Sequence, residues 1–202
     1  MKYFRGPKSG QRGFTLLELL VAIPISALVV AAATGGLIQV VNSKDASTHM
    51  YSLRQVQTAG YWVSTDAYQA QQVGDVPGEI TVGANQGFPL VLKWLDPDTG
   101  KTHIVTYTLG GTTGEPRTLV REEVIRDDQD PGAEPTTTVM TVASYLVDSI
   151  EGTPATEVKE GDPDAHQAPL IFKVTSHVGR EPTEDRTYDI TLRPQMLAQV
   201  SF

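Results

Sequence analysis

One carboxylate, that of Glu18, lies within residues 14–41, a stretch that carries no other charge. An ionised side chain in hydrocarbon costs about 2.5–3.5 kcal/mol even on lenient scales, so Glu18 needs a positive partner. Gly13 directly precedes Phe14, and the backbone there is open to close approach because glycine has no Cβ. The candidate chemistry of this stretch is therefore the pairing of Glu18 with a positive charge.

Other possible sites in the chain are weaker. Gly100-Lys101-Thr102 is similar to the end of a phosphate-binding loop, but the glycine needed five residues earlier is Leu95, so a turn is predicted. No Gly-x-Ser-x-Gly elbow occurs. The four histidines are far apart and form no His-Glu-x-x-His pair for zinc: they are His49, His103, His166 and His177. The sequence therefore predicts that the protein is not an enzyme.

An acidic segment containing Asp127, Asp128 and Asp130 offers candidate calcium ligands. Several carboxylates converging from a tight loop suit a hard cation. Pro131 interrupts the pattern of a calcium loop, so a solvated acidic turn is the favoured interpretation. No cofactor is expected, and calcium is kept as the alternative.

Composition excludes several classes of protein. A chain of 202 residues with 40% hydrophobic and 20% charged residues suits one domain plus an appendage. The absence of cysteine excludes disulfides, thiol catalysis and iron–sulfur clusters. A net charge of −8 argues against direct nucleic-acid binding. Residues 14–202 carry −12, because residues 1–13 contain no acid and four basic side chains, Lys2, Arg5, Lys8 and Arg12.

Residues 14–41 are apolar enough and long enough to cross a bilayer. As a helix they would span about 42 Å, against about 30 Å of hydrocarbon. The basic residues before this stretch predict a cytoplasmic N-terminus and an extracytoplasmic chain after Val41. A plain membrane anchor leaves Glu18 unexplained. A secretory signal cut near Ala31–Ala33 is disfavoured because its apolar region would be too long and would contain a charge.

A family resemblance accounts for Gly13, the basic leader and the acid together. The leader is followed by the run Gly13-Phe14-Thr15-Leu16-Leu17-Glu18-Leu19-Leu20. This run resembles the type IV prepilin signal. The resemblance implies that a prepilin peptidase cuts after Gly13 and methylates the amine of Phe14. It also implies that Glu18 neutralises the Phe14 amine of a neighbouring subunit, which would set the axial register because an unpaired buried charge is unfavourable.

A single long helix is predicted to continue beyond the apolar stretch, ending by Gly74. Pro24 and Gly35-Gly36 are expected to kink or loosen its first part. Residues 42–74 are amphipathic and must pack on the rest of the chain, since a lone amphipathic helix cannot bury its apolar face. The apolar stripe, with steps of three or four, consists of Ala46, Met50, Leu53, Val56, Gly60, Val63, Ala67 and Ala70.

Residues 75–202 predict a β-rich domain. The expected strands are Glu79–Val82, Leu90–Leu95, His103–Leu109, Thr118–Arg126, Ser144–Ile150, Leu170–His177 and Thr187–Arg193. Asp96–Lys101 predicts a hairpin turn, Val139–Ser144 allows a short helical turn, and Thr153–Gln167 predicts an exposed loop. The fold class is therefore α+β, with a long N-terminal helix packed on a C-terminal antiparallel β-sheet.

The order of elements resembles minor pilins and pseudopilins of the J or W type. The segments that carry this weaker resemblance are Tyr107-Thr108-Leu109, Leu119-Val120-Arg121-Glu122, Ser144–Ile150, and the pair Leu170–His177 and Thr187–Arg193. Such proteins lie at or near a filament tip and help to start assembly. The resemblance implies partners: the prepilin peptidase, other pilin or pseudopilin subunits, the inner-membrane assembly platform and the lipid bilayer.

The functional prediction is a structural subunit of a type IV pilus or a type II secretion pseudopilus. It would comprise a leader (1–13) that is removed, an assembly helix (14–41), an amphipathic continuation (42–74) and an extracytoplasmic domain (75–202). The protein would first lie in the inner membrane with a cytoplasmic N-terminus and would then enter the filament. The alternative is a binding or adhesion module on a permanent single-span anchor that is never cleaved.

Overall fold

The computed structural model describes residues 14–75, 81–130, 132–161, 170–178 and 183–190. The leader, including Gly13, lies outside the described residues. One helix precedes a series of strands within them. In chain order these elements are α1 (Leu16–Gln69), β1 (Gln72–Val73), β2 (Leu90–Asp96), β3 (Lys101–Gly110), β4 (Arg117–Asp127), β5 (Thr136–Leu146), β6 (Ser149–Ile150), β7 (Thr153–Pro154), β8 (Glu157–Glu160), β9 (Leu170–His177) and β10 (Thr183–Ile190).

The chain divides into two compact units, Met1–Lys44 and Asp45–Phe202. The described part of the first unit consists of Phe14, Thr15 and the first part of α1. This helix contains an apolar window with a mean hydropathy of 2.4 that is not buried, and it is long and apolar enough to cross a membrane. The helix continues through Pro24 and through Gly35-Gly36, so neither feature ends α1.

The second part of α1 packs against the sheet within the second unit. Five positions of the predicted stripe are buried as expected: Val56, Gly60, Val63, Ala67 and Ala70. The prediction is wrong for Ala46 and Met50, which are exposed, and Leu53 is half-buried. Ala59 and Asp66 are buried beside the stripe. The buried surface is therefore an arc wider than one row of residues, because a helix on a sheet meets several strands at once.

The helix ends at Gln69, inside the predicted limit of Gly74. Two backbone bonds then join the chain to β2: the N–H of Gln71 donates to the carbonyl of Lys93 at 2.8 Å, and that of Gly74 donates to Val91 at 2.7 Å. Gly74 has φ +82°, a left-handed conformation that a glycine adopts without a steric penalty. Residues 72–73 thus form an edge strand instead of a last helical turn.

The strands form one antiparallel sheet in the order β1-β2-β3-β4-β5-β9-β10, with β8 also paired to β9. The run from β1 to β5 is a meander, in which each strand pairs with the next along the chain. The pairing of β5 with β9 is limited to Leu146 and Ser176. A separate small hairpin joins β6 to β7.

One face of the sheet forms the core together with α1. Inward residues alternate along the strands, as the two-residue period of a strand requires. The largest fully buried side chains are Tyr107, Phe172, Leu90, Leu92, Leu119, Leu146 and Leu170. The predicted α+β class, with a long helix followed by an antiparallel sheet, is confirmed.

Four predicted strands, Leu90–Leu95, His103–Leu109, Thr118–Arg126 and Leu170–His177, are confirmed as β2, β3, β4 and β9. The hairpin turn at Asp96–Lys101 is confirmed as well. There the N–H of Gly100, at φ +66°, donates to the carbonyl of Asp96 at 2.8 Å.

The prediction for β5 was wrong at both ends. Its strand begins at Thr136 and ends at Leu146, so Val139–Ser144 is strand and contains no helical turn. Ser149–Ile150, expected to continue that strand, belongs to the separate β6. Residues 136–138 are three threonines without apolar alternation, and their strand is formed by pairing with β4, which local pattern does not reveal.

Three other segments also differ from expectation. Within Thr153–Gln167, expected to be a loop, β7 and β8 are strands, while residues 162–167 lie outside the described part. Of Glu79–Val82, residues 79–80 lie outside it, and Thr81 and Val82 are not in a strand. The last strand begins at Thr183, earlier than expected, and residues 191–193 of Thr187–Arg193 are likewise not described.

Candidate functional site

The first turn of α1 is closed by a reciprocal cap between Thr15 and Glu18. The backbone N–H and the hydroxyl of Thr15 donate to Oε2 of Glu18 at 2.9 and 3.0 Å, and the N–H of Glu18 donates to Oγ1 of Thr15 at 3.3 Å. The carbonyl of Thr15 accepts the N–H of Leu19 at 3.2 Å. Thr15 is therefore the N-cap and Glu18 the third helical residue, the arrangement of a capping box.

The cap fixes the orientation of the Glu18 side chain. The carboxylate is oriented toward the helix start by its two bonds from Thr15, and a negative charge in the first turn suits the positive end of the helix dipole. Thr-x-x-Glu before an apolar run is the sequence signal of such a cap. The cap holds in place the one charge of the apolar stretch.

Apolar side chains surround Glu18 and continue along the helix. Phe14, Leu17, Val21 and Ile25 line a shallow groove beside the carboxylate. The large hydrophobic side chains from Phe14 to Val41 are between 49% and 84% exposed. A helix that is apolar all round and unburied by its own chain requires lipid or other helices around it.

A family model described as the prokaryotic N-terminal methylation motif matches residues 8–34. The match includes Gly13, Phe14 and Glu18. The chain carries the type IV prepilin-like signature. The resemblance predicted from the Gly13–Leu20 run is confirmed over this segment. Comparison of the chain with curated proteins and with solved structures gave no match.

The prepilin-like signature supports a type IV pilin-like subunit that is processed at its N-terminus. Together with the apolar part of α1, it fits a membrane-anchored pilin. The family that carries this signature is structural and not enzymatic, and its members are processed by a peptidase and assemble with other pilins.

The acidic turn of the prepilin-like chain uses its carboxylates in local hydrogen bonds. Oδ1 of Asp127 accepts the N–H groups of Gln129 and Asp130 at 3.0 and 3.3 Å. Asp128 accepts the hydroxyl of Thr102 at 2.5 Å. Oδ1 of Asp130 accepts the N–H of Gly132 at 3.2 Å. In the described part of the chain, no three His, Cys, Asp or Glu side chains are placed to hold a metal ion.

A buried polar cluster, composed of Asp66, Tyr107, Arg121, Glu123 and His103, joins α1 to β3 and β4. Arg121 donates from Nε and Nη2 to the two carboxylate oxygens of Asp66, at 2.7 and 3.2 Å. The hydroxyl of Tyr107 donates to Oδ2 of Asp66 at 2.5 Å. Asp66 and Arg121 are 3% and 5% exposed, so this ion pair is shielded from water.

The cluster extends from Arg121 toward the surface. Nη1 of Arg121 donates to Glu123 at 2.9 Å, and the other oxygen of Glu123 lies 2.9 Å from Nδ1 of His103. The His103 ring stacks on Trp94, with centroids 5.1 Å apart. Trp62 covers the guanidinium of Arg121 at 5.1 Å, a cation–π contact. The polar contacts thus run from Asp66 through Arg121 and Glu123 to His103, and Trp62 and Trp94 pack against Arg121 and His103.

Burial and hydrogen bonding act in opposite directions on the pKa values of Arg121 and Glu123. Burial alone would lower the pKa of Arg121, but its hydrogen bonds to Asp66 and Glu123 raise that pKa, so Arg121 stays charged. Burial would raise the pKa of Glu123, but bonds from His103 and Arg121 lower it. Burial and the nearby Asp66 charge raise the pKa of Tyr107. The cluster therefore holds α1 against β3 and β4 through charged hydrogen bonds.

The sequence contained one signal for this cluster. Asp66 lies between Val63 and Ala67 of the predicted stripe, so an acid was present on the side of α1 that faces the core. A buried acid needs a positive partner. That the partner is Arg121, 55 residues away, was decided by the sheet register.

Proposed function

We propose that this chain is a prepilin-like structural subunit, cut between Gly13 and Phe14, methylated on the new amine and assembled through its N-terminal helix. The observation that carries the proposal is the methylation motif over residues 8–34. Its acid, Glu18, is held in the first turn of an unburied apolar helix. The assembly is a type IV pilus or a type II secretion pseudopilus.

The proposal assigns a separate role to each of four segments of the chain. Residues 1–13 are the leader that is removed, and residues 14–41 form the transmembrane and assembly helix. Residues 42–74 continue the chain into the extracytoplasmic domain, residues 75–202. The protein begins in the cytoplasmic membrane with its N-terminus inside, and its partners are the prepilin peptidase, other pilin or pseudopilin subunits, the assembly platform and the bilayer.

Glu18 is the assembly carboxylate in this proposal, and Thr15 is its positioning residue. Both bonds from Thr15 end on Oε2 of Glu18. Oε1 can therefore accept from the Phe14 amine of a neighbouring subunit while the cap stays formed. Pairing in an apolar surrounding offsets the cost of burying both charges, which ties the axial position of one subunit to the next.

A minor subunit at or near the filament tip is the finer part of the proposal. It is supported by the order of one long helix followed by an antiparallel meander and by the predicted likeness to J or W types. An acidic domain without cysteine and with no direct affinity expected for nucleic acid suits a structural role.

The processing step is tested by intact-mass measurement of the membrane form. Loss of residues 1–13 together with the mass of one methyl group on Phe14 is expected. A Gly13→Leu variant should remain uncut, because a side chain at that position hinders approach by the peptidase. An unmodified chain that still starts at Met1 in a cell with an active prepilin peptidase would reject the proposal in favour of a permanent single-span anchor.

The assembly step is tested with Glu18→Gln, which keeps the shape of the side chain and removes its charge. Cleavage should be unchanged, whereas incorporation into filaments should fall by a factor of about ten or more, because a neighbouring amine loses a partner worth about 1.4 kcal/mol at least. Thr34→Val is the matched control, since it alters another polar side chain of the apolar stretch. Normal incorporation of Glu18→Gln would count against the carboxylate as the register device.

A further inference from the structure

On the side of β5 that faces away from β4, most backbone N–H and C=O groups have no strand partner among the described residues. Along one side, β5 is hydrogen-bonded to β4 from Thr136 to Leu146. On the other side, the only described strand pairing is that of Leu146 with Ser176 of β9. In an antiparallel strand, alternate residues direct their N–H and C=O groups to opposite sides. The segment from Thr136 to Val142, defined here as the β5 edge, therefore presents donors and acceptors outward.

Near β9, side chains from other elements form hydrogen bonds with the backbone of β5. The N–H of Ser144 donates to Oε1 of Gln55 at 2.7 Å, and the hydroxyl of Ser176 donates to the carbonyl of Tyr145 at 3.2 Å. The remaining β5 edge is seven residues long, which corresponds to about 24 Å of strand. That length equals or exceeds an ordinary strand and is enough to pair with another one.

The β5 edge has only one of the usual protections of an exposed strand, a register shift at Val142 in its pairing with β4. Natural sheet edges carry charges, prolines or bulges that prevent pairing with other chains. β5 contains no charged residue, proline or glycine, and Val139 is 62% exposed. By contrast, the outer strand β10 carries four charged residues among eight: Glu184, Asp185, Arg186 and Asp189. β10 is thus guarded by charge along its length, whereas β5 from Thr136 to Thr141 carries no charge and pairs with β4 without a register shift.

The charge around the edge indicates what kind of chain would cover it. The turn leading into β5 contains three exposed acids, Asp128, Asp130 and Glu134. Neighbouring β4 exposes one acid, Glu122, and one base, Arg126, so the excess negative charge lies at the turn. Residues 14–202 carry a formal charge of −12, so a second copy brought alongside would be repelled. A strand whose end beside this turn carries Lys or Arg would be attracted.

We infer that the β5 edge is a docking site for an extended strand of a different protein chain. The docked strand adds to the sheet through main-chain hydrogen bonds, the mode known as β-augmentation. It is uncharged and rich in β-branched residues along its length, and it has a basic end beside Asp128, Asp130 and Glu134. The inference concerns the second unit and does not depend on cleavage after Gly13.

The probe is a synthetic peptide of seven alternating threonines and valines with two lysines at one end, titrated onto the full chain in detergent micelles. Binding should be accompanied by slower amide hydrogen exchange at alternate residues of the β5 edge. A second peptide with the same charges, in which alternate backbone nitrogens are methylated, cannot donate those bonds. Its binding should be at least tenfold weaker.

Two variants locate the docking site on the chain. Val139→Lys places a charge on the edge at an exposed position, so the fold should tolerate it, and it should weaken peptide binding at least tenfold. Ile150→Lys adds the same charge at another exposed apolar position, 48% exposed and outside β5. It should bind the peptide like the parent chain, and both variants should keep the parent melting temperature.

Other outcomes overturn the inference. Equal binding of both peptides would mean attraction by charge alone, and no binding at millimolar peptide would mean that the edge accepts no strand. Slow exchange, in the free chain, of those Thr136–Thr141 amides that face away from β4 would mean that the edge is already covered. A dimer of the full chain that Val139→Lys dissociates would assign the edge to a second copy.

Discussion

Asp66 is a carboxylate on the core side of a helix, and three hydrogen bonds from Arg121 and Tyr107 hold it there. A buried ion pair adds little net stability compared with apolar residues of the same volume, because burial strips water from both charges. Removing one partner is different, since the other charge is then buried without compensation. The buried polar cluster therefore adds little net stability. It does fix which residues of α1, β3 and β4 face each other.

The first expected outcome is that Asp66→Ala destabilises the fold by about 3–5 kcal/mol, because the Arg121 guanidinium is left buried and unpaired. Denaturant unfolding of the full chain in detergent, followed by tryptophan fluorescence, measures the change. Asp98→Ala is the matched control, since Asp98 is an exposed turn residue, and it should change stability by less than about 0.5 kcal/mol. A double variant, Asp66→Leu with Arg121→Met, should recover most of the loss.

The raised pKa of Tyr107 predicts that the folded protein loses stability at alkaline pH. Burial and the Asp66 charge raise the pKa of Tyr107 in the folded state above the value of about 10 in the unfolded chain. The stability that the neutral hydroxyl contributes is therefore present below pH 10 and is lost as pH rises above it, because only the unfolded chain releases the proton readily.

Denaturation midpoints at pH 8 and pH 11 test this dependence. The parent chain should lose more stability over this interval than Tyr107→Phe, which has no proton to release. Tyr61→Phe, which removes the hydroxyl of a tyrosine that is 64% exposed, is the control for loss of a hydroxyl group as such. Identical pH dependence in the parent and Tyr107→Phe would contradict the assigned shift.

At the scale of elements, α1 and β10 meet at a glycine. A Cβ added at Gly60 would overlap the ring of Tyr188, whose hydroxyl donates to the carbonyl of Val56 at 3.2 Å. Alanine is normally favoured over glycine inside a helix by about 1 kcal/mol. Here the close approach of the ring outweighs that preference. Gly60, identified in sequence as one position of the apolar stripe, is the point at which the last described strand can contact the helix.

The corresponding expectation is that Gly60→Ala lowers stability by about 1–3 kcal/mol, as overpacking of a core usually does. Thermal unfolding by circular dichroism would detect the loss. Gly35→Ala in the same helix meets open space and should cause no loss. Combining Gly60→Ala with Tyr188→Ala removes the overlap, so the double variant should be no less stable than Tyr188→Ala alone.

The strands that local pattern predicted are those with alternating burial and a clear turn between them. In β2 and β3 the inward residues alternate, and Asp96–Lys101 supplies the hairpin. β8 was missed because Thr153–Gln167 is rich in proline, glycine and acids, and its strand character comes from pairing with β9. Pairing across a sheet is a tertiary effect, which explains why β5 and β8 were misassigned.

At the scale of the whole molecule, the two compact units have different relations to water. The core cluster begins at Val56 and draws on α1 and the sheet, with no member from residues 14–44. Within residues 14–41, the large apolar side chains are at least 49% exposed. The first unit is therefore suited to lipid or to other subunits, and the second unit has its own buried core.

A fragment of residues 45–202 should accordingly fold without the first unit. We expect it to be soluble without detergent and to melt within a few degrees of the full chain, because no buried core residue has been removed. Circular dichroism and size-exclusion chromatography give the measurement. A fragment that starts at Ser64 removes Val56, Ala59 and Val63 from the core and should not fold. Aggregation of the 45–202 fragment would contradict the assignment of an independent core.

The sequence by itself determined the features that depend on neighbouring residues: the apolar stretch with its single acid, the N-terminal methylation motif over residues 8–34, the amphipathic helix and the regular strands. Each is set by local order, hydropathy and period. Tertiary structure alone decided which distant groups meet, such as Asp66 with Arg121, Gly60 with Tyr188, and β5 with β4. Those contacts depend on sheet register and on desolvation in the folded chain, and neither is contained in any short segment.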